Sequence, residues 1–362
     1  MDFKLIRKNI LVQYVKDKIL YATEDHIVWR TTDHGKTWEK VCCLATDKGS
    51  WYPYFKNKLL RSTLVRRFRR NIGINNVVIT RRGTLIIQYD KIYRYDGTSF
   101  YASPVFDYEK LGISGPLKNG LAYDENSDLL YFGEYNVNRP RAIRVVRGID
   151  DGRSWDICYQ FPTGRIRHVH SIVPDAYRGV IWITAGDNNH ESTLFYTDDG
   201  FQSMKSFGGG DQSWRMISLI PTEDALIWGS DAGKDAPPDS LNYIYRWEFS
   251  KNKRERLACI DNPAYYSHRL ADGRMFIGST YEPGMQRSVA PCAEIWSSRD
   301  GLNWSRELAF RYHPSGRKYE TLYATVNFPL GDTSSDRLFF TLLNVKSLDF
   351  HLLCEDISTR QA

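Results

Sequence analysis

His168 and His170, in the segment GRIRHVHSI, lie two residues apart and so project to one side of an extended strand. That spacing suits a pair of metal ligands, or a general base with the partner that orients it. Trp214 and Arg215 adjoin in DQSWRMISL, and a guanidinium can clamp a carboxylate through two N–H groups. Arg165 and Arg167 interleave with the same histidine segment. Carboxylates and phenols complete the set: Glu134 and Tyr135 in YFGEYNVNR, Asp187 and His190 in ITAGDNNH, Asp231 in WGSDAGKD, Tyr265, Tyr266 and His268 in AYYSHRL, and Tyr281 and Glu282 in GSTYEPG.

Aromatic rings stack on sugar faces while Arg and His address acidic and hydroxyl groups, so the mixture points to an acidic carbohydrate. Three functions of different class fit. In β-elimination on a uronate, Arg215 neutralises the carboxylate, His170 or His168 takes the proton, and Tyr135 or Tyr265 protonates the leaving oxygen. In glycoside hydrolysis, two of Glu134, Asp187, Asp231 and Glu282 share the work. In the third, the same surface binds a glycan or a protein without catalysis. For the enzymes, Arg167, Asp187, His190, Trp214, Asp231, His268, Tyr281 and Glu282 are the substrate-binding set. No cofactor is required, and a metal variant places a divalent ion on His168, His170 and His190 or His268. Each residue also has a plain structural reading: histidines bonded to neighbouring sheets, Arg215 packed on Trp214, and carboxylates that recur at equivalent positions because each caps a loop.

Residues so far apart meet only if the elements carrying them repeat. A turn pattern does repeat: TTDHGKTW at 31–38, GIDDGRSW at 148–155, YTDDGFQS at 196–203 and SSRDGLNW at 297–304. In it an Asp carboxylate accepts backbone N–H bonds, Gly takes a positive φ, and Trp fills the gap between sheets. Only the first copy is complete, since Gly148, Ser203 and Arg299 stand where Thr, Trp and Asp are wanted. The pattern resembles the Asp-box of sialidase-like propellers. That resemblance implies an all-β, seven-bladed β-propeller of four-stranded antiparallel blades, forming one domain over 1–362. Alternating segments divide into units at about 9–44, 71–106, 115–161, 165–208, 212–250, 262–310 and 319–355, with FKLIRK at 3–8 completing the last blade and closing the ring. In such a meander, entries to first strands and exits from second strands share one end of the sheet, and those segments hold the residues named above. The Arg-Ile-Pro motif of sialidases is absent, so their activity does not transfer with the scaffold. In residue types the His, Tyr and Arg set resembles ulvan lyases and related seven-bladed polysaccharide lyases.

Length and composition agree with one large all-β unit: 362 residues, 14% aromatic, with 23 Tyr and 10 Trp. Net charge is +6, concentrated only in RSTLVRRFRR with Arg61, Arg66, Arg67, Arg69 and Arg70. No nucleic-acid-binding signature accompanies that cluster, so it reads as a solvated basic segment and nucleic acid is not an expected partner. The N-terminal apolar residues are broken by Lys, Arg and Asp, which leaves no signal core and no membrane span. Six cysteines form no C-x-x-C pair and no metal spacing, which together with the N-terminus gives the expectation of a cytoplasmic protein with reduced thiols. The oligomeric state is left open.

Overall fold

The computed structural model describes residues 3–45, 73–136, 140–313, 323–331 and 336–357. The arginine cluster at 61–70 lies outside the described residues. Strands appear where β-branched and aromatic residues run together, as in Val180–Ala185 (VIWITA), five of whose six residues are buried. A nearly continuous apolar run marks a strand covered on both faces, which is the situation of a blade between two others.

Among the described residues seven four-stranded units follow one another, the first two joined edge to edge in one larger sheet with Leu330–Gly331. Blade one comprises Leu11–Lys16, Ile19–Glu24, Ile27–Thr31 and Glu39–Leu44; blade two Asn76–Ile79, Leu85–Gln88, Ile92–Tyr95 and Tyr101–Phe106. Blade three comprises Leu121–Asp124, Leu129–Gly133, Ile143–Ile149 and Ser154–Phe161; blade four Val169–Asp175, Val180–Ala185, Thr193–Thr197 and Lys205–Gly209. Blade five comprises Ile220–Pro221, Ala225–Gly229, Tyr243–Glu248 and Lys253–Cys259; blade six Ala264–Arg269, Met275–Ser279, Cys292–Ser298 and Ser305–Arg311. Blade seven has Thr325–Asn327, Arg337–Leu343 and His351–Asp356, and its fourth strand is Phe3–Lys8, paired antiparallel so that Phe3 meets Glu355 and Lys8 meets His351. The molecule is therefore a seven-bladed propeller closed by its N-terminal strand.

Neighbouring blades touch closely where second strands cross the next blade's first strand. At Gly133 a Cβ would lie 2.3 Å from the Val169 side chain, so only glycine permits this approach of blades three and four. The repeated turns behave as capping devices, with shifts of frame. In the first, Asp33 Oδ1 accepts from Thr37 N at 2.9 Å, and Trp38 Nε1 donates to Gly35 O at 3.1 Å. In the third, Asp199 accepts from Ser203 N at 3.0 Å and Phe201 N donates to Thr197 Oγ1 at 3.1 Å. The motif there begins at Thr197 rather than Tyr196, and Met204 occupies the place of the tryptophan. In the fourth, Asp300 caps Leu302 and Asn303 and pairs with Ser298, so the carboxylate looked for at Arg299 stands one residue later. In the second, Asp151 turns away from its own loop and accepts from Thr80, Thr84 and Arg94 of blade two at 2.6–2.7 Å.

Candidate functional site

Blade four supplies the centre of the site. Its first strand pairs Val169 with Ala185 and Ser171 with Thr184, leaving His170 as the extra residue of a β-bulge. A bulge re-aims its side chain, and here the Nε2 atoms of His168 and His170 come to 3.0 Å from each other. The second strand exits through Gly186, whose φ of +86° and contact with the Glu191 backbone exclude a side chain. That turn returns Asp187 over the histidines, with Oδ1 3.3 Å from both Nε2 atoms.

Each imidazole is fixed from behind. His168 Nδ1 donates to the Asn136 carbonyl and His170 Nδ1 to the Met216 carbonyl, both at 3.0 Å. A carbonyl only accepts, so each ring carries a proton on Nδ1; Nε2 is then a lone pair in a neutral ring and a donor to Asp187 in a charged one. Tyr135 stacks on His168 with centroids 4.2 Å apart; burial, then the charges of Asp187 and Asp231, raise its phenol well above the usual value. Burial pushes the His170 imidazole down. For Asp187 burial opposes ionisation, but hydrogen bonds and charge from His168 and His170 outweigh it and hold the carboxyl well below the usual range.

Arg215 joins this centre to blade five. Its Nη2 lies 3.2 Å from Asp187 Oδ1, its Nε donates to Asp231 Oδ2 at 3.2 Å, and its Nη1 donates to Asp235 Oδ1 at 3.0 Å. Burial works against its charge, yet Asp231, Asp187 and Asp235 more than offset that and hold the proton on. The side chain is only 6% exposed and its N–H groups are taken, so the expected role of Arg215 as neutraliser of a substrate carboxylate is not available to it. Asp231, 2% exposed, is raised well above its ordinary value by burial; Arg215 opposes this, while Glu282, Asp187 and Asp235 add to it. Its Oδ1 has no hydrogen-bond partner among the described residues.

Two of the carboxylates cap loops, as their repetition suggested. Glu134 accepts from Ser114 N at 2.8 Å, Arg144 N at 2.8 Å and Arg141 Nη2 at 2.7 Å, with no exposed surface. Glu282 accepts from Tyr265 Oη at 2.6 Å and Lys234 N at 3.1 Å. Tyr265 is itself the bulged residue of blade six, and burial followed by the Glu282 charge keeps its phenol well above the ordinary value.

Five further expectations fall away from the centre. Trp214 is stacked on Trp228 at 5.3 Å with Arg254 over its ring, so it packs between blades rather than facing a ligand. His268 lies toward the other end of the channel, stacked on Phe328 at 5.8 Å, and lines a cavity of about 520 Å³ there. His190 has a side chain 71% exposed and its nearest carboxylate is Glu191 at 3.9 Å, so neither of these histidines can join His168 and His170 as a ligand. Tyr281 sits on the rim of blade six, its ring 5.1 Å from that of Tyr312. Arg165 lies over the Phe195 ring at 5.0 Å, away from the centre.

The residue that does meet solvent is Arg167: its side chain is 43% exposed and Nη1 reaches Asp187 Oδ2 at 3.1 Å. Sequence reasoning also missed Lys118, which enters the central cavity of about 330 Å³ beside His170 and Tyr266. Lys118 donates to Asn327 Oδ1, its ammonium lies 4.8 Å from the Tyr266 centroid, and burial brings its pKa down to about 7. Nothing in GPLKNGL marks it out, because the signal is the channel that only the closed ring creates.

No family model matches the chain, and no curated protein matches it. Solved structures do match. The GH74 enzyme of Niastella koreensis superposes with a TM-score of 0.60 at 13% identity over 99% of this chain and 54% of its own. The GH74 xyloglucanase of Xanthomonas campestris gives 0.58 at 14% identity over 95% and 52%. This chain thus spans about half the length of either enzyme. YCF48 from Cyanidioschyzon merolae gives 0.55 at 13% identity, with 98% and 99% of the two chains covered. At such identities the likeness is one of fold: a β-propeller shared by proteins of different activity.

Proposed function

We propose that this propeller recognises an acidic carbohydrate across the mouth formed by blades three to six. Arg167 carries the reading. It is an exposed guanidinium anchored at one corner by Asp187, with its remaining N–H groups free of protein partners among the described residues, so it is preset to receive a carboxylate. Tyr135, Tyr281 and Tyr323 are half-buried, and tyrosine rings of this kind can stack on sugars. That two similar folds belong to glycoside hydrolases agrees with a carbohydrate ligand, while its acidic character rests on Arg167.

Elimination is the weaker account of any cleavage. Arg167 can take the cationic role first given to Arg215, and Tyr135 stays protonated as an acid must. The histidine lone pairs, however, face each other and Asp187 rather than the opening, which leaves elimination without a base. Hydrolysis finds one supporting observation: the environments of Asp187 and Asp231 push their protonation in opposite directions across Arg215.

The test is calorimetric titration of uronate-bearing and neutral oligosaccharides, with product analysis. The acidic sugar should bind, and Arg167→Ala should weaken it by about 10-fold, roughly 1.4 kcal/mol, without lowering the melting temperature. Equal binding of neutral and acidic sugars, or no change in Arg167→Ala, refutes the reading. New reducing ends identify hydrolysis, and near-ultraviolet absorbance of an unsaturated uronate identifies elimination.

A further inference from the structure

We infer that His168, His170 and Asp187 form a binding site for a single divalent transition-metal ion of the zinc class. The inference deepens the carbohydrate reading by placing a cation in the same mouth. With both Nδ1 protons committed to main-chain carbonyls, His168 Nε2 and His170 Nε2 point at each other across 3.0 Å with an ionised carboxylate oxygen 3.3 Å from each. Donor atoms this close are held together by a cation among them, a proton on one ring or a metal ion.

Distance then selects the occupant. Two ligands about 2.0–2.1 Å from one ion, at the tetrahedral angle, stand about 3.3–3.4 Å apart. The three observed separations, 3.0, 3.3 and 3.3 Å, fall close to that value. The ligand types agree, since two neutral imidazoles and one carboxylate suit zinc and its neighbours better than calcium or magnesium, which prefer all-oxygen cages.

The surroundings match what metal ligands need. Metal-bound histidines almost always donate the other ring N–H to a carbonyl or carboxylate, which fixes tautomer and orientation; here Asn136 and Met216 serve both rings. The Asp187 carboxylate is oriented from its other side by Arg167 on Oδ2, while Arg215 Nη2 lies 3.2 Å from Oδ1 itself. The rings cannot swing away, because His168 is fully buried under Tyr135 and His170 is pinned in its bulge. Three protein ligands leave a tetrahedral ion one position for water or for an oxygen of the bound sugar.

The experiment uses the full chain, stripped with chelator and then dialysed against zinc or cobalt(II) without any sugar. Elemental analysis should give about one equivalent per chain, and the cobalt form should show the intense visible absorption of a tetrahedral site. His168→Gln combined with His170→Gln should bring retention below about 0.1 equivalent, and Asp187→Asn should weaken zinc on the order of 100-fold. His190→Ala should leave both readouts unchanged. Melting curves of the metal-free proteins show whether each variant folds, and if the double variant does not, Asp187→Asn with the cobalt spectrum decides. Less than about 0.1 equivalent in the parent chain, an unchanged cobalt spectrum in a folded ligand variant, or loss of metal in His190→Ala overturns the inference. Because no sugar is present, such a failure would leave the carbohydrate reading standing, and absence of sugar binding would leave the metal site standing.

Discussion

Arg215 holds a positive charge where water scarcely reaches it, and three aspartates around it make that tolerable. Removing one partner of a buried ionic network leaves the others uncompensated, a loss of about 3–5 kcal/mol in comparable cases. Arg215→Ala should therefore be strongly destabilised in denaturant titration. Asp231→Asn should cost less, because burial pushes that carboxyl toward its neutral form, which the amide nearly matches in shape. A cost within about 1 kcal/mol is expected; a cost as large as that of Arg215→Ala would show Asp231 to be ionised. At this scale the sequence was legible in kind rather than in role. WRM announced a clamp, but not that Asp187, Asp231 and Asp235 would already fill it. RIRHVH announced the histidines, but the exposed cation proved to be the arginine between them.

Strands and turns were read more surely than the side chains they carry. Alternation and Gly-bearing turns located the blades, because burial between sheets imposes those residue types. The β-bulges at Gln13, His170 and Tyr265 were invisible, since an extra residue in a strand changes no composition. The turn motifs at Thr197 and Ser298 were misframed by one position because the frame was set on Gly200 and Gly301, whereas the hydroxyl and carboxylate two apart that make the cap are Thr197 with Asp199 and Ser298 with Asp300. His268, at the end of its strand, carries a prediction of its own. Burial brings its pKa from 6.5 to about 4, so between those values the unfolded chain holds more protons and stability falls with falling pH. The loss should begin near pH 6.5, be complete below about pH 4, and amount to about 3 kcal/mol. His268→Gln should flatten that part of the stability profile. A profile identical to that of the parent would mean the ring is protonated when folded.

For the whole molecule the decisive contact is the pairing of Phe3–Lys8 on His351–Asp356. It joins the two ends of the described chain in one sheet and covers an edge that would otherwise be open to other chains. Deleting residues 1–8 should lower the melting temperature by about 10 °C or more and drive association visible in size-exclusion chromatography. An unaltered monomer with an unaltered melt would show that the other six blades hold the ring unaided.

The same pairing sets a timetable for biosynthesis. The strand that seals the propeller, Phe3–Lys8, is made well before its template, His351–Asp356. At roughly 5–20 residues per second the nascent chain carries Phe3–Lys8 unpaired for about 20–70 s. Throughout that interval the channel, and with it any pocket that depends on all seven sheets, does not yet exist, and it forms only once His351–Asp356 has emerged.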